Sequence, residues 1–460
     1  MKRSPDSPRF LASGWERVSE MAQKSIIIAG GGLTGALAAL MLARDGHRVS
    51  LYERRGDIRN AEIVHGRSIN LAISTRGLTA LNRVGLRERV LEMAVPMRGR
   101  LMHGKDRSTT FQAYSSDPNE NIYSISRGGL NRFLIEQAAA EENVELHFQH
   151  RCVEVDARAG VATFIDDDSG QQVEVSGDLL IGADGAYSAV RQNLMIGDLF
   201  DFSQEYLTHG YMELYIPAAA GGEFAIDKNA LHIWPRGHFM MIALPNGDGS
   251  FTGTLFWPNK GDASFSNLKD ADQVKRYFEE WFPDVPDLIP DLDQQYLNAN
   301  PSSLVTIRCR PWVVGKTVLV GDSAHAIVPF YGQGMNAGFE DVRILCEEME
   351  SHSEDLEEAL QSYQELRIEN GNAIADLALA NFYEMQDHVA RPTFLLYKKL
   401  SNMLQKLFPG WYRSLYSMVS FSNTPYAEAI RIARSQDQAI RVVFPLVLMI
   451  IAVAIVWSLT

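Results

Sequence analysis

Residues 25–35 read SIIIAGGGLTG, a run of β-branched residues that leads directly into a glycine-rich turn. Gly30, Gly32 and Gly35 occupy the first, third and sixth positions of this turn, which is the spacing of a dinucleotide-binding fingerprint. The hydrophobic periodicity around the turn predicts a strand at 25–29, a helix at 33–44 and a strand at 48–53. A glycine-rich turn alone is weak evidence, but here the flanking elements form the βαβ unit that such a turn requires.

Each glycine of the turn has a separate expected role. Gly30 permits the tight turn, Gly32 lets the backbone approach a pyrophosphate, and Gly35 lets the helix pack closely on the strand. Glu53 lies 23 residues after Gly30 and ends the second strand. We expect its carboxylate to accept hydrogen bonds from ribose hydroxyls and to repel a 2′-phosphate, which favours FAD or NAD over NADP. The alternative is a solvated carboxylate at a strand end.

A second stretch, 321–336, reads GDSAHAIVPFYGQGMN and follows another β-branched run, 317–320. This stretch resembles the segment by which flavoprotein hydroxylases hold the ribityl chain and pyrophosphate of FAD, and the resemblance implies that Asp322 binds the ribityl hydroxyls. Gly332 and Gly334 would allow close approach to the isoalloxazine ring, and the helix that begins near Met335 would direct backbone N–H groups at a flavin carbonyl. His325 is interpreted as a packed turn histidine, and no second ligand at useful spacing supports a metal site.

The composition limits the class of protein. A chain of 460 residues with 46% hydrophobic and 22% charged residues is expected to form two or more globular domains. The net charge of −14 argues against a nucleic-acid partner. Three scattered cysteines indicate neither a disulfide framework nor a zinc site, and they fit a reducing compartment.

The predicted fold class is α/β: a Rossmann-like FAD-binding domain with an inserted antiparallel-sheet substrate domain, a C-terminal helical region and a C-terminal transmembrane helix. The sheet domain is predicted from short alternating apolar runs separated by turn residues. The predicted division is a disordered extension at 1–20, a discontinuous FAD-binding domain at 21–205 and 301–370, the sheet domain at 206–300, the helical region at 371–438 and the membrane anchor at 439–460.

The membrane prediction depends on residues 442–459, which read VVFPLVLMIIAVAIVWSL and contain no formal charge. Eighteen apolar residues are about the shortest run that spans a bilayer core. Arg431, Arg434 and Arg441 precede the run, which predicts a single anchor with the catalytic domain on the cytoplasmic side, at the inner membrane of a bacterium or the mitochondrial outer membrane of a eukaryote. The alternative is a buried core helix, which would normally show a polar face.

Three motifs together resemble the single-component FAD-dependent aromatic hydroxylases related to para-hydroxybenzoate hydroxylase. They are the glycine-rich turn, the Asp-Gly motif GADGAYSAVR at 182–191, and Gly321-Asp322. The resemblance implies FAD as cofactor and NADPH as co-substrate, with the Asp-Gly motif serving both and no separate NADPH domain. The cofactor-binding residues that it implies are Gly30, Gly32, Thr34, Gly35, Tyr52, Glu53, Arg54, Arg55, Ala72, Arg127, Asp184, Asp322, Met335 and Asn336.

Within this family the chain is most similar to the branch that hydroxylates L-kynurenine. The segments that carry this similarity are RSINLA at 67–72, MRGR at 97–100, HGYMEL at 209–214, LHIWP at 231–235, VPFYGQGMN at 328–336, NFYEM at 381–385 and YSMVSFS at 416–422. Ser323 stands where alanine is common, and Tyr331 stands where the family varies.

The resemblance also implies a substrate site. Arg100 would bind the substrate carboxylate through its planar guanidinium, with Tyr114 as a hydroxyl partner. Asn381 and Tyr416 would add polar contacts from the C-terminal region. Phe256 and Phe330 would form an apolar wall beside the ring, although a phenylalanine in such sequence is as often part of the core.

The implied reaction is 3-hydroxylation of L-kynurenine by NADPH and O2 through a flavin 4a-hydroperoxide, a step of tryptophan degradation toward NAD. No catalytic acid or base is predicted, because the aniline nitrogen already activates the ring. The alternatives are hydroxylation of another aromatic amino acid or phenol, a membrane-bound flavin reductase, and a non-enzymatic flavoprotein. A flavin halogenase is disfavoured because its WxWxIP motif is missing from the sequence.

Overall fold

The computed structural model describes residues 22–61, 70–115, 117–197, 199–387, 403, 405, 407–408 and 410–440. Four stretches that carried predictions therefore lie outside the described residues. They are the extension at 1–20, residues 67–69 of the first similarity segment, most of a predicted helical run at 394–407, and the apolar run at 442–459.

A six-stranded sheet forms the base of the first layer, in the order β18-β19-β12-β1-β2-β8. Its strands are β1 (Ser25–Ala29), β2 (Arg48–Glu53), β8 (Val144–Phe148), β12 (Leu179–Gly182), β18 (Val313–Val314) and β19 (Thr317–Leu319). All neighbours pair in parallel except β18 and β19. Because parallel strands end at the same edge, the turn after β1, the Asp-Gly motif after β12 and Gly321 after β19 are brought together.

Helices cover this sheet. They are α1 (Leu33–Arg44), α2 (Thr75–Arg83), α3 (Arg87–Glu92), α4 (Arg127–Ala139), α5 (Ala189–Leu194), α9 (Asp322–His325), α10 (Gly334–Ser351) and α11 (Leu356–Asp387). Helix α1 is buried along nearly its whole length because it is apolar on every side. The βαβ unit predicted from the sequence is confirmed with the same boundaries.

Two small antiparallel sheets accompany the two large ones. One is β9 (His150–Asp156), β10 (Val161–Asp166) and β11 (Gln172–Ser176); the other is β3 (Asn70–Ile73), β4 (Val95–Met97) and β7 (Ile122–Ser126).

A seven-stranded sheet forms the second layer, in the order β17-β13-β16-β15-β14-β5-β6. Its strands are β5 (Gly99–His103), β6 (Thr109–Ala113), β13 (Asp201–Ile216), β14 (Ala230–Pro235), β15 (Met240–Pro245), β16 (Phe251–Pro258) and β17 (Ser302–Arg310). Strands β5, β6 and β17 come from outside the range 206–300 that was predicted for the sheet domain. Only β14 and β5 pair in parallel, and Leu231 lies opposite Arg100 in that pair.

Side chains alternate between the two faces of this sheet. One apolar cluster contains Met102, Ile233, Met240 and Phe256 from the sheet. It is completed by Phe330, from the loop before α10, and by Phe382, from α11. Trp234, Met241, Leu255 and Trp257 belong to a different cluster. That cluster is completed by helices α6 (Ala271–Trp281), α7 (Val285–Leu288) and α8 (Leu292–Asn298). One face of the sheet therefore meets α11, and the other meets α6–α8.

The C-terminal part that the structure describes contains helix α12 (Leu415–Ser420) and helical residues 426–440. Two short 3-10 helices, Ala220–Gly222 and Pro329–Tyr331, complete the elements described.

The prediction of a C-terminal transmembrane helix, and of a membrane location with it, is overturned. Among the described residues no helix combines the length and the apolar composition needed to cross a bilayer. Helix α11, at 32 residues, is long enough, but charged residues such as Glu357, Arg367 and Asp376 recur along it. The run at 442–459 that carried the prediction lies outside the described residues.

Candidate active site

The glycine-rich turn has the geometry that its three glycines were predicted to supply. Gly30 has φ +108°, and a Cβ added there would lie 2.4 Å from the carbonyl oxygen of Ala183. A Cβ on Gly35 would lie 1.9 Å from the carbonyl oxygen of Gly30. At Gly32, by contrast, an added Cβ meets none of the described atoms within 4 Å. Gly30 and Gly35 therefore pack the unit tightly, whereas Gly32 faces open space where a ligand can approach.

Helix α1 begins at this open space without a side-chain cap among the described residues. Its unpaired first-turn N–H groups and its dipole favour an anion there, as a pyrophosphate would be. Thr34 lies in the first turn and links the two predicted halves of the site. A Cβ added at Gly321 would lie 2.9 Å from Thr34 Oγ1, and one added at Gly338 would lie 2.7 Å from it.

Glu53 closes the turn from the end of β2. Its Oε2 accepts from the Gly31 N–H at 2.7 Å, and its Oε1 accepts from the Arg55 N–H and Nε at 2.9 and 2.8 Å. Burial alone would raise the pKa of this carboxyl, but the hydrogen bonds and charge of Arg55 hold it below its usual range. Glu53 is thus a carboxylate fixed beside the turn, while Arg54 and Arg55 are exposed.

Tyr52 contacts the turn through its backbone only. Its carbonyl oxygen accepts from the Gly30 N–H at 2.8 Å. The ring is stacked between His147 and Phe164, with centroid distances of 4.5 and 4.1 Å. The side chain is therefore part of the core.

Asp184 joins the Asp-Gly motif to the Gly-Asp motif. Its Oδ2 accepts from the N–H groups of Ala189 and Val190 at the start of α5, at 2.7 and 3.1 Å. Its Oδ1 accepts from the hydroxyl of Ser323 at 3.0 Å, and that hydroxyl accepts from the Gly185 N–H at 2.9 Å. The serine that departs from the family pattern is therefore a tether between the two motifs.

Asp322 is exposed to solvent yet surrounded by protein groups, as a side chain lining a cleft would be. Burial raises the pKa of its carboxyl, and the nearby charges of Arg127 and His325 oppose the rise. Arg127, the first residue of α4, is also exposed. Of the residues around Gly321, these two present charged side chains that a cofactor could still reach.

The start of α10 is held against β3 by Asn336. Its Nδ2 donates to the carbonyl oxygens of Ala72 and Gly332, both at 2.8 Å, and its Oδ1 accepts from the Ser74 N–H at 2.9 Å. No side chain of the described residues caps α10. The first-turn N–H groups, including those of Met335 and Asn336, are therefore the groups that can meet a flavin carbonyl.

A buried ionic network lies behind residues 321–333, here called the cofactor loop. The sequence analysis did not predict this network. Asp341 accepts from the Gly321 N–H at 2.9 Å, from His325 Nε2 at 2.6 Å and from Arg367 Nε at 2.7 Å. Arg367 and Arg76 also donate to the two oxygens of Glu340, at 2.7 and 2.6 Å. Charge from His325 and Arg367 outweighs burial and lowers the pKa of Asp341 to about 2. His325 is thus a packed, hydrogen-bonded residue, as interpreted from the sequence.

Arg100 is the centre of the predicted substrate site. It is 5% exposed on β5, and its Nε and Nη1 have no hydrogen-bond acceptor among the described residues. Its guanidinium carbon lies 5.8 Å from the ring centroid of Tyr114 and 5.4 Å from that of Tyr416. The two tyrosine rings are stacked at 5.1 Å, and Tyr331 stacks on Tyr416 at 5.7 Å.

Electrostatics keep this cluster ready for an anion. Burial raises the pKa of Tyr114, Tyr331 and Tyr416, so their hydroxyls stay neutral. Burial alone would lower the pKa of Arg100, but the surrounding phenols and Glu384 raise it, so the guanidinium stays charged. Glu384, on α11, has its Oε1 3.7 Å from Arg100 Nη1. The sequence had not singled out Glu384, although it lies within the segment NFYEM.

The remaining predicted substrate residues lie on the apolar side. Phe256 and Phe330 are buried with their ring centroids 4.8 Å apart, and Phe330 is 4.4 Å from Phe382. Asn381 donates to the Phe330 carbonyl oxygen at 2.5 Å, which fixes the loop that carries that ring. Leu231 and Ile242 border both this cluster and the one that contains Tyr114. The structure thus joins an arginine-centred polar end to an aromatic wall.

The site has the features that FAD requires. They are the open space at Gly32, the helix starts of α1 and α10 without side-chain caps, and the accessible carboxylate of Asp322. The family model described as an FAD binding domain matches residues 23–378. In structure the chain is similar to 2-methyl-3-hydroxypyridine-5-carboxylic acid oxygenase, with a TM-score of 0.66 over 82% of this chain and 96% of that one, at 21% identity. The chain therefore belongs to the family with this FAD binding domain, and the likeness in structure shows that it shares the fold of that oxygenase.

Proteins of similar sequence identify the family of monooxygenases to which the chain belongs. The chain is 46% identical to kynurenine 3-monooxygenase of Dictyostelium discoideum, over 91% of this chain and 92% of that protein. It is 45% identical to kynurenine 3-monooxygenase of Myxococcus xanthus, over 91% and 90%. The chain belongs to the kynurenine 3-monooxygenase family.

Proposed function

We propose that this monooxygenase converts L-kynurenine, NADPH, H+ and O2 to 3-hydroxy-L-kynurenine, NADP+ and water. The observation that carries the proposal is the buried Arg100 guanidinium, two of whose nitrogens find no acceptor among the described residues, placed between neutral phenols and an aromatic wall. A buried arginine of this kind fits a substrate carboxylate, because the planar fork can donate two parallel hydrogen bonds. Two relatives that carry the kynurenine 3-monooxygenase name support the choice of substrate.

Glu384 extends this assignment to the amino group of the substrate. Its carboxylate lies 3.7 Å from Arg100, which is too long for a direct hydrogen bond. An α-amino acid carries its ammonium next to its carboxylate. With the carboxylate on Arg100, the ammonium can therefore reach Glu384, which supplies the amine acceptor that the substrate requires.

The proposed cofactor contacts are the open turn at Gly32, the uncapped start of α1, Asp322 and Arg127, and the start of α10. When bound, FAD accepts two electrons from NADPH and activates O2 for transfer of one oxygen atom to the substrate. The protein orients the ring by holding its amino-acid end at Arg100. The aromatic wall at Phe256, Phe330 and Phe382 excludes water, which protects the activated oxygen from unproductive loss. The aniline nitrogen activates the ring, so no residue is assigned as acid or base.

The test is NADPH oxidation by purified, FAD-loaded protein with and without L-kynurenine, with product and hydrogen peroxide both measured. We expect stimulated oxidation coupled to 3-hydroxykynurenine. Kynuramine, which lacks the carboxylate, is the matched control and should stimulate poorly because Arg100 has no anion to bind. Equal turnover with kynuramine would contradict the role of Arg100. Stimulation by another aromatic amino acid or phenol, with none by L-kynurenine, would favour a related hydroxylase.

A further inference from the structure

A chain of buried imidazoles lies under the sheet that carries Arg100. Asp284 Oδ2 is 2.8 Å from His103 Nδ1, and His103 Nε2 is 2.9 Å from His232 Nδ1. His232 Nε2 is in turn 2.8 Å from the carbonyl oxygen of Asp227. His103 is 5% exposed and His232 is fully buried. The side chain of Asp284 is 19% exposed, so the chain reaches solvent at one end.

This chain lies on the face opposite the substrate site. Leu231 pairs with Arg100 and borders the clusters on the substrate side, while His232 pairs with Leu101. Since side chains alternate along a strand, His103 and His232 point to the face that α6–α8 cover. The ring of His103 stacks on Trp234 at 4.0 Å, and Trp234 Nε1 donates to Asp284 at 2.9 Å. One residue, His103, thus ties strand β5 to the loop before α7.

The hydrogen bonds fix where the protons are. A carbonyl oxygen only accepts, so His232 must carry its proton on Nε2 and present a lone pair at Nδ1. Burial lowers the pKa of His232 to about 4, which keeps the ring neutral. His103 must therefore donate from Nε2. Its Nδ1 faces the Asp284 carboxylate, which can only accept a hydrogen bond when it is ionised. All three hydrogen bonds can therefore form at once only when the His103–Asp284 pair holds one extra proton.

Other charges around the pair leave this arrangement intact. Arg236 donates from Nη1 to the carbonyl oxygen of His103 at 2.9 Å and from Nε to the carbonyl oxygen of Trp281, so it faces the backbone and not the ring. The charged and titratable groups nearest His103 along the chain and on α7 and β14 are Asp284 and Asp287 at α7, His232 and Arg236 on β14 and its turn, Asp227 before β14, and Lys105, Asp106 and Arg107 after β5. Lys105 lies over the ring of Trp281, and Arg107 pairs with Asp287 at the surface.

We propose that His103 is a positioning residue for Arg100, and that the proton it shares with Asp284 holds strand β5 in register under the substrate carboxylate. This inference rests on the proposed function. When the proton leaves as pH rises, Nδ1 and the carboxylate become two acceptors facing each other. The link from β5 to α7 is then lost, and affinity for the substrate carboxylate falls while FAD remains bound.

The Asp284→Asn variant removes the shared proton but can keep the hydrogen bond between residue 284 and His103. Its amide nitrogen can donate to a neutral His103 at Nδ1, and its oxygen can still accept from Trp234. In wild-type holoenzyme labelled with 15N-histidine, NMR should show His103 protonated on both nitrogens near neutral pH and losing one proton as pH rises. KM for L-kynurenine should rise roughly fivefold over the same interval, at constant FAD content. In Asp284→Asn, His103 should be neutral throughout and the KM profile should be flat.

Asp287→Asn is the matched control, because that carboxylate lies on α7 but pairs with Arg107 at the surface. It should keep both wild-type profiles. A neutral His103 in wild-type protein near neutral pH would overturn the shared proton. Identical KM profiles in wild type and Asp284→Asn would overturn the positioning role while leaving the proposed function standing. No stimulation by L-kynurenine at any pH would instead overturn the proposed function, and the positioning role with it.

Discussion

At the scale of single residues, Arg100 departs most from what a side chain of its kind normally does. A buried guanidinium is costly unless its donors are paired, yet two of its nitrogens find no acceptor in the described part of the chain. The neighbouring phenols are neutral, and the nearest carboxylate stands 3.7 Å away. These features support the proposal that Arg100 binds an anionic group of the substrate.

Arg100→Ala should raise KM for L-kynurenine by the equivalent of about 2–5 kcal/mol, because the substrate carboxylate loses a desolvated, charge-assisted partner. Arg100→Lys should recover only part of this loss, since an ammonium cannot donate two parallel hydrogen bonds. Steady-state kinetics and the absorbance of bound flavin are the measurements. Flavin content should be unchanged.

Arg98→Ala is the control for this prediction. Arg98 lies two residues away and is exposed, so its removal should leave KM unchanged. If Arg98→Ala raised KM and Arg100→Ala did not, the carboxylate site would have to be moved to Arg98.

The position of a residue could be predicted from the sequence when neighbouring residues in the chain determine that position. Gly30, Gly35 and Glu53 were accessible from sequence because a local turn and the end of the next strand determine their positions. Glu384 was not, because its place beside Arg100 depends on how α11 crosses a sheet some 280 residues earlier in the chain. The side chains of Asp184, Asn336 and Asn381, which were predicted to contact the cofactor or the substrate, also form hydrogen bonds to protein groups that the sequence did not indicate.

At the scale of elements, the proposed cofactor site lies where two helix starts without side-chain caps meet, those of α1 and α10. Both elements were predictable, because each follows a β-branched strand and a glycine-rich turn. The partners of β5 and β6 in the seven-stranded sheet were not, because strand pairing across distant segments leaves no local periodicity. The apolar run at 442–459 shows that composition alone can also suggest too much. It indicated a membrane helix, and the structure gives that prediction no support.

Gly32 and Gly35 allow a test that separates ligand approach from folding. Gly32→Val should fold but bind FAD poorly, because the new side chain occupies space that no described atom fills. Gly35→Val should misfold or lose most of its stability, because its Cβ would lie 1.9 Å from the Gly30 carbonyl oxygen. Flavin content and thermal unfolding distinguish the two outcomes.

Gly247→Ala serves as control for this pair. It has equally open surroundings in a turn of the other sheet, and should change neither flavin content nor unfolding. Full flavin content in Gly32→Val would mean that this turn does not hold the pyrophosphate.

At the scale of the whole molecule, the buried ionic network joins parts of the chain that are far apart in sequence. Arg76 on α2 pairs with Glu340 on α10 and also donates to the carbonyl oxygens of Val419 and Thr424. Its guanidinium lies 3.8 Å from the ring centroid of Tyr426. The C-terminal segment that carries Tyr416 is therefore fastened to the helices behind the cofactor loop.

Arg76→Met should lower the free energy of unfolding by about 3–5 kcal/mol, because Glu340 loses one of its two buried partners. KM for L-kynurenine should rise as the segment around Tyr416 loosens, with flavin still bound. Urea unfolding and steady-state kinetics measure the two effects.

Arg83→Met removes two more exposed ion pairs, those with Asp45 and Glu350, from the same helix and should cost about 1 kcal/mol or less. A destabilised Arg76→Met enzyme with an unchanged KM would show that the network stabilises the fold without influencing the substrate site.

The strand order of the seven-stranded sheet also limits how this enzyme can be recombined. Residues 206–300 look like a cassette that could be exchanged for the corresponding segment of another hydroxylase. Such a transplant would carry Phe256 and Leu231, but it would leave Arg100 and Tyr114 behind on host strands. A chimera cut at those boundaries would combine one parent's proposed ring pocket with the other parent's proposed carboxylate site, so an exchange of substrate specificity would have to include β5 and β6 as well.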